Sequence, residues 1–579
     1  MYPLLRSALL RIFLFLTFLS TALLPVCIRA QVYAGKPKLI VVVIIDQFRG
    51  DYLNRDHAEF KGRGFRLFTD EGAWFTDCYF DYANTKTAPG HATIGTGAYT
   101  NGHGIEANEW WDASRSDEVK VSSVQDERYK LVGLPSSSIP ANLPGAAPWA
   151  PKWGIGVSPL NLRASTFGDE LRLATQGRSH VYGISLKDRA AILPVGQSAN
   201  GAFWIDPLSG QFITSTYYMQ NLPAWAVAFN KSDRIEQAEK EAHAVGTTHF
   251  YNLVGITPAA NSYEFDFAKV LIKGENLGQH DVTDLLMISL SANDIEGHRF
   301  GPDSDQEEQM ILGLDKSLDN FFTWLDQNVG LKNVWLALTA DHGIAPVSSE
   351  AAKLGIDAAQ VDLKTLYEDL ERQLNARFSP GQQIEYLMPL PEMPYLVLDK
   401  RSFEKVHVNE KAAEQAVAEM LPAAVARQIP DPPAKPKFND PAPVQPSDHR
   451  LPPAPQITGI YTRLQLANGQ LPPSEWGREL AHSYAYHGNW YVMLVLGAYQ
   501  MENVSSWGGT THFSPWNYDR HVPLAFYGAP FKPGEYHGEV APVDLVTTFA
   551  SLAGVNRPSA AVVHLPKEAL NPQEITGHP

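Results

Sequence analysis

The sequence predicts an α/β protein with a mostly parallel central sheet flanked by helices, and two observations predict it. First, three apolar runs are short, rich in β-branched and aliphatic residues, and without polar–apolar alternation. They are LIVVVIID (Leu39 to Asp46), LLMISLSAND (Leu285 to Asp294) and VWLALTADHG (Val334 to Gly343). Strands buried on both faces of a parallel sheet have this pattern, whereas a half-exposed strand alternates. Second, the segment between the last two runs carries Ile311, Leu314, Leu318, Phe321 and Leu325. Their spacing of three and four residues makes one helical stripe. Strand, helix and strand in that order imply a right-handed βαβ unit. A fourth strand is expected over HVYGISL, from His180 to Leu186.

The N-terminus reads as a targeting segment. Arg6 and Arg11 precede an uninterrupted apolar run from Ile12 to Val26, and Ala30 follows in CIRA. Basic, apolar and small-residue parts in that order make residues 1–30 a signal peptide cleaved after Ala30. The apolar run is shorter than the ~20 residues of a bilayer span. No membrane span is therefore expected once the signal is removed. Lipidation at Cys27 is disfavoured by the bulky Val26 before it. Cleavage leaves Cys78 as the one cysteine, so the expected periplasmic or secreted protein is stabilised by its core or by metal rather than by a disulfide.

Residues 31–579 read as one catalytic domain with insertions at about 109–160, 190–280 and 345–505. Residues 134–160 look like a loop, and about 345–425 like a mixed helical segment. Ten prolines between Pro430 and Pro455 mark an extended loop, 430–455. Apolar residues make up 44% of the 579 and charged residues 19%, which excludes a disordered polymer. A net charge of −16 argues against nucleic acid as a specific partner, while a small anion held by local cations is still allowed. Oligomeric state has no clear sequence signal; a monomer is favoured.

Chemistry concentrates where the apolar runs end. Ligands of open parallel sheets bind beyond the carboxyl ends of the strands. Asp46, Asp294 and Asp341 would therefore line one edge. His298 follows Asp294 by four residues, His342 follows Asp341 directly, and the loop GTTHFSPWNYDRHVP offers His512. Any one of these acids alone reads more readily as a turn or helix cap. Together, three Asp and three His suffice for two metal ions with three protein ligands each, and mixed N/O ligands suit catalytic zinc. In ANTKTAPGHATIGTG (Ala83 to Gly97), Thr87 stands at a helix start, where free backbone N–H groups favour an anion. It is either an N-cap or, beside a divalent cation, an activated nucleophile.

The ordered motifs IIDQFRGDYL, TAPGHATIGTG, NGHGIEANEWW, SLKDRAAI, SANDIEGHRFGP, LTADHG and GTTHFSPWNYDRHVP resemble the alkaline phosphatase superfamily. The resemblance is to its phosphodiesterase/nucleotide pyrophosphatase branch, and more narrowly to the single-chain exported bacterial alkaline phosphatases, over about residues 36–555. It implies an alkaline-phosphatase-like sheet with inserted cap segments and two zinc ions. It implies that Asp46, Asp341 and His342 hold one zinc, with Thr87 coordinating it as nucleophile, and that Asp294, His298 and His512 hold the other. Asn108, Lys187 and Arg189 are implied as phosphoryl-oxygen contacts, the Lys–Arg pair being typical of monoesterases. A solvated charge pair with Asp188 is the plain alternative for that pair. The activity implied is hydrolysis of small phosphate monoesters through a phosphothreonine. A phosphodiesterase on the same scaffold and a non-catalytic zinc or phosphate binder are the rival readings. A sulfatase is disfavoured, because that branch requires a Cys or Ser in a CxPxR-type run and Cys78 is followed by YFDYA. Phe513 stands where many relatives have glycine. AYHGNWYVML replaces an Arg-Ser-Gly-Asp run, and its His487 is assigned to structure. His91 and His103 read as packing or hydrogen-bonding residues, and Lys86 has no assigned role.

Overall fold

A computed structural model describes residues 35–111, 120–135, 155–389, 393–427, 455–485, 488–503, 509–562 and 564–571. The expected signal peptide, most of the predicted loop 134–160, nearly all of the proline-rich loop and His487 lie outside them. Ile155–Val157, at the end of that predicted loop, is a strand.

The strands that matter for the site are β1 (Leu39–Ile45), β2 (Val181–Ser185), β3 (Gly201–Ile205), β4 (Asp284–Leu290) and β5 (Val334–Thr339). All five are buried along their whole length, as their unbroken apolar runs require. Among the described residues they form the middle of an 11-stranded sheet, in the order β5-β1-β4-β2-β3. Every pairing in that run is parallel. The sheet is nevertheless mixed, because Leu524–Tyr527 pairs antiparallel with β5.

Four helices complete the frame: α1 (Thr87–Thr96), α2 (Asp188–Ile192), α3 (Ala292–Phe300) and α4 (Asp305–Asn328). The predicted stripe on α4 is its buried face, and Ser304 caps the helix by accepting from the Glu307 N–H. α1 ends at Gly97, whose φ of +64° suits a glycine cap.

The segment from about 359 to 502 has a core of its own. Strands Tyr395–Leu398, Trp490–Leu496 and Ile457–Thr462 make a separate antiparallel sheet. Helices Leu363–Phe378 and Glu410–Ala426 contribute to the apolar cluster against it, which includes Leu370, Leu374, Val417, Leu421, Val492 and Leu494. A smaller cluster joins Tyr395, Tyr491 and Met493 to Ala83, four residues before Thr87. Among the described residues no helix is long and apolar enough to cross a membrane.

α2 sits against β2 at the closest approach a backbone allows. A Cβ on Gly183 would lie 2.0 Å from the Ala191 carbonyl oxygen. Gly183→Ala is therefore expected to push α2 off the sheet and lower stability by about 1–3 kcal/mol. Urea unfolding checks this, and an unchanged midpoint would show that α2 has slack.

Candidate metal and phosphoryl-transfer site

Three carboxylates gather at the carboxyl edge of β4, β1 and β5. Asp46 directly follows β1, and Asp341 lies two residues past β5. Asp294 is in the first turn of α3 rather than at the end of β4, so His298, at i+4, rises on the same helix face. Asp46 and Asp341 are fully buried, and Asp294 is nearly so.

Lys187, which caps α2, reaches between two of them. Its Nζ lies 2.6 Å from Asp46 Oδ2 and 2.5 Å from Asp294 Oδ2, with the side chain 3% exposed. A solvated pair with Asp188 is thereby ruled out for Lys187. Arg189 does approach Asp188, at 3.8 Å, and its buried Nε has no hydrogen-bond partner. Burial alone would raise Asp294, but the ammonium of Lys187, helped by His298, holds it well below the usual carboxylate range. Burial, then the charges of Asp294 and Asp341, push Asp46 well above that range.

The three histidines share one orientation device. His298 Nδ1 lies 3.0 Å from the Thr510 carbonyl, His342 Nδ1 3.0 Å from that of Gly343, and His512 Nδ1 2.6 Å from that of Thr85. A carbonyl oxygen only accepts, so each Nδ1 carries a proton, and in the neutral ring it is Nε2 that presents a lone pair. Burial, followed by neighbouring imidazoles, drives His512 well below its ordinary range, and burial lowers His342 despite Asp341. Neutral rings are what metal ligation requires.

Two groups among the described residues bring their ligand atoms within 4.8 Å of one another: Asp294–His298–His512 and Asp46–Asp294–His342. The first is the expected set. In the second, Asp294 stands where Asp341 was expected, because one ammonium draws Asp46 and Asp294 together. Asp341 flanks that group, its Oδ2 lying 3.5 Å from His342 Nε2, which is also 3.5 Å from Asp46 Oδ1. Asp46 Oδ1, Asp341 Oδ2 and His342 Nε2 are all buried without a hydrogen-bond partner. Two carboxylate oxygens and an imidazole nitrogen converging in a buried site fit a divalent cation.

Thr87 is the first residue of α1, with Lys86 as the N-cap, so it is not itself the cap. The Ala88 N–H donates to Asn108 Oδ1 at 2.9 Å, which holds Asn108 at the same helix end. His91 connects this end to the carboxylates: its Nδ1 lies 2.8 Å from the Thr87 carbonyl and 3.1 Å from Asp341 Oδ2. Gly90 permits that contact, since a Cβ there would be 2.3 Å from the Asp341 carbonyl oxygen.

Sequence reasoning missed several groups. His91 is a hydrogen-bonding residue as expected, but its contact with Asp341 was not foreseen. Gln47 donates to both Asp341 and Asp294. The carbonyls of Thr85 and Thr510 leave no side-chain trace. His103 does read correctly, being buried and bonded to Thr93 Oγ1 and the Ile105 N–H. Lys86 is buried with its Nζ 5.2 Å from the Phe513 ring and 5.7 Å from that of Tyr395. Phe513 has φ +92°, a conformation natural to glycine that costs another residue about 1–3 kcal/mol.

The model of type I phosphodiesterase / nucleotide pyrophosphatase matches residues 40–459, most of the chain. The chain belongs to this family. Within it, the chain is similar to alkaline phosphatase PhoV of Synechococcus elongatus, 30% identical over 91% of this chain and 92% of that one. It is equally similar, at 30%, to alkaline phosphatase PafA of Elizabethkingia meningoseptica, over 91% of this chain and 93% of that one. The crystal structure of wild-type PafA superposes with a TM-score of 0.77 at 27% identity, covering 93% of this chain and 99% of that one. The fold is alkaline-phosphatase-like, and the chain is a phosphoester hydrolase of the alkaline phosphatase type, a phosphoric monoester hydrolase.

Lys187→Met would leave Asp46 and Asp294 facing each other in a buried site. The metal-stripped variant is expected to lose about 3–5 kcal/mol of stability. Urea unfolding in excess chelator measures it, and a loss below about 1 kcal/mol would mean that the ammonium is not the countercharge.

Proposed function

We propose that the chain is an exported, zinc-dependent phosphatase that hydrolyses small phosphate monoesters through a phosphothreonine on Thr87. The observation that carries the metal reading is the convergence in a buried site of Asp46 Oδ1 and Asp341 Oδ2 on His342 Nε2, each at 3.5 Å. Asp46, Asp341 and His342 would hold one zinc beside Thr87, and Asp294, His298 and His512 the other. When bound, the ions supply Lewis acidity toward the phosphoryl oxygens and favour the alkoxide of Thr87. Export rests on the composition of residues 1–30.

The chain's own groups then account for the rest. Thr87 Oγ attacks phosphorus, the ester P–O bond breaks, and the alcohol departs with a proton. Water cleaves the phosphothreonine, releases inorganic phosphate and restores the hydroxyl. Asn108 accepts from Ala88 through Oδ1, so its NH₂ end is the one that could donate to a phosphoryl oxygen. Lys187 has three N–H donors, and two serve Asp46 and Asp294; the third suits the oxygen that distinguishes a monoester from a diester. Arg189, with its buried unpartnered Nε, would join it there. In a loose phosphoryl-transfer transition state, such positioning and charge stabilisation supply most of the rate. A structure of a PafA variant supports the assignment. It is altered at a threonine, an asparagine, a lysine and an arginine, in the chain order of Thr87, Asn108, Lys187 and Arg189.

Thr87→Ala is expected to abolish both turnover and trapping of labelled phosphate on the protein; label retained at wild-type level would remove Thr87 as nucleophile. Excess chelator is expected to inactivate the enzyme and zinc to restore it, so undiminished activity in chelator would reject the metal reading. Lys187→Ala with Arg189→Ala should depress kcat/KM for an aryl phosphate at least 100-fold more than for an aryl alkyl phosphodiester, about 3 kcal/mol of differential stabilisation. Equal losses, or a wild-type preference for the diester, would favour the phosphodiesterase reading.

A further inference from the structure

Gln47 has no part in the assignments above, yet it touches a carboxylate of each metal group. It directly follows Asp46 and is fully buried. Its backbone N–H donates to Asp341 Oδ1 at 3.0 Å, and its side-chain Nε2 donates to Asp294 Oδ1 at 2.7 Å. Its φ is +66°, in the left-handed region that favours glycine. α3 also accommodates it. Gly297, between Asp294 and His298, packs so closely that a Cβ there would be 2.1 Å from Gln47 Oε1.

We propose that Gln47 is a positioning residue, setting the spacing of Asp341 and Asp294 so that both sets of ligand atoms close on metal together. The proposal rests on the zinc reading above. Buried carboxylates repel and turn from one another unless something holds them. A neutral donor does this without adding a charge that competes with a metal ion. Lys187 cannot replace it, because the ammonium engages Oδ2 of Asp294, whereas Oδ1 is the oxygen facing His298 and His512, at 3.2 and 3.8 Å. The amide fixes Oδ1. The backbone N–H fixes Asp341 only while the chain turns through the left-handed conformation at Gln47. One residue therefore ties the chain reversal after β1 to the geometry of both groups.

Two variants of the full-length protein separate positioning from packing. Gln47→Leu retains bulk and removes the donor. Gln47→Gly removes the donor while suiting the backbone and retaining the N–H on Asp341. The readouts are zinc stoichiometry and affinity, by competition with a chromogenic chelator, and the thermal midpoint of the metal-stripped proteins. The wild type is expected to bind two zinc ions. Both variants should bind at least one of them about 10–100-fold more weakly, the usual effect of losing a partner of a metal ligand. Two zinc ions bound by both variants at wild-type affinity would overturn the proposal and leave the metal reading standing. So would weakened binding in Gln47→Gly alone, accompanied by a lowered metal-stripped midpoint, because loss of bulk and not of the donor would then be the cause. Absence of zinc binding by the wild type would overturn the metal reading itself, and this proposal with it.

Discussion

Countercharge for buried carboxylates is the constraint on which the rest of this structure depends. A parallel sheet covered on both faces delivers its strand ends to a region nearly free of water. Asp46, Asp294 and Asp341 all arrive there. Such a cluster persists only with cations close by. Lys187 supplies one, fixed by two carboxylate oxygens. Burial keeps His342 and His512 from supplying another, lowering both imidazoles although a carbonyl accepts from each Nδ1. The anionic character of the site follows from that imbalance.

The parts of the fold visible in the sequence are those governed by burial alone. Strands β1, β4 and β5 have no solvent-facing side, so their composition identifies them without an alignment. The stripe from Ile311 to Leu325 marks a helix because one face meets the core. What stayed hidden was decided by three-dimensional neighbours. Asp294 follows an apolar run as Asp46 does, yet a helix has already begun by the time the chain reaches it. Its partition between the two groups depends on Lys187, more than a hundred residues away. The side chains of the site were legible as residue types, whereas the carbonyls of Thr85 and Thr510 have no residue type to betray them. Gln47 was hidden for a different reason. A lone glutamine has no spacing signature, and only its backbone conformation and two long-range bonds single it out.

The segment with the second core belongs to the site as much as the large sheet does. His512 follows it in the chain and donates to the carbonyl of Thr85, while Thr85 Oγ1 and Ser514 exchange hydrogen bonds of 3.0 Å in both directions. Ser483 holds the Ala83 N–H at 2.7 Å, and Tyr395 packs over Lys86. The strand of chain leading into α1 is thus gripped on one side by residues that belong to, or immediately follow, the second core.

That grip bears on how this scaffold can be trimmed or diversified. A shortened enzyme retaining only the large sheet would preserve Asp46, Asp294 and Asp341 and still lose the splint that holds the start of α1. Laboratory evolution aimed at new leaving groups is better directed at the outer face of the small antiparallel sheet. The seam where that sheet meets Ala83, Thr85 and Lys86 is the place to leave untouched.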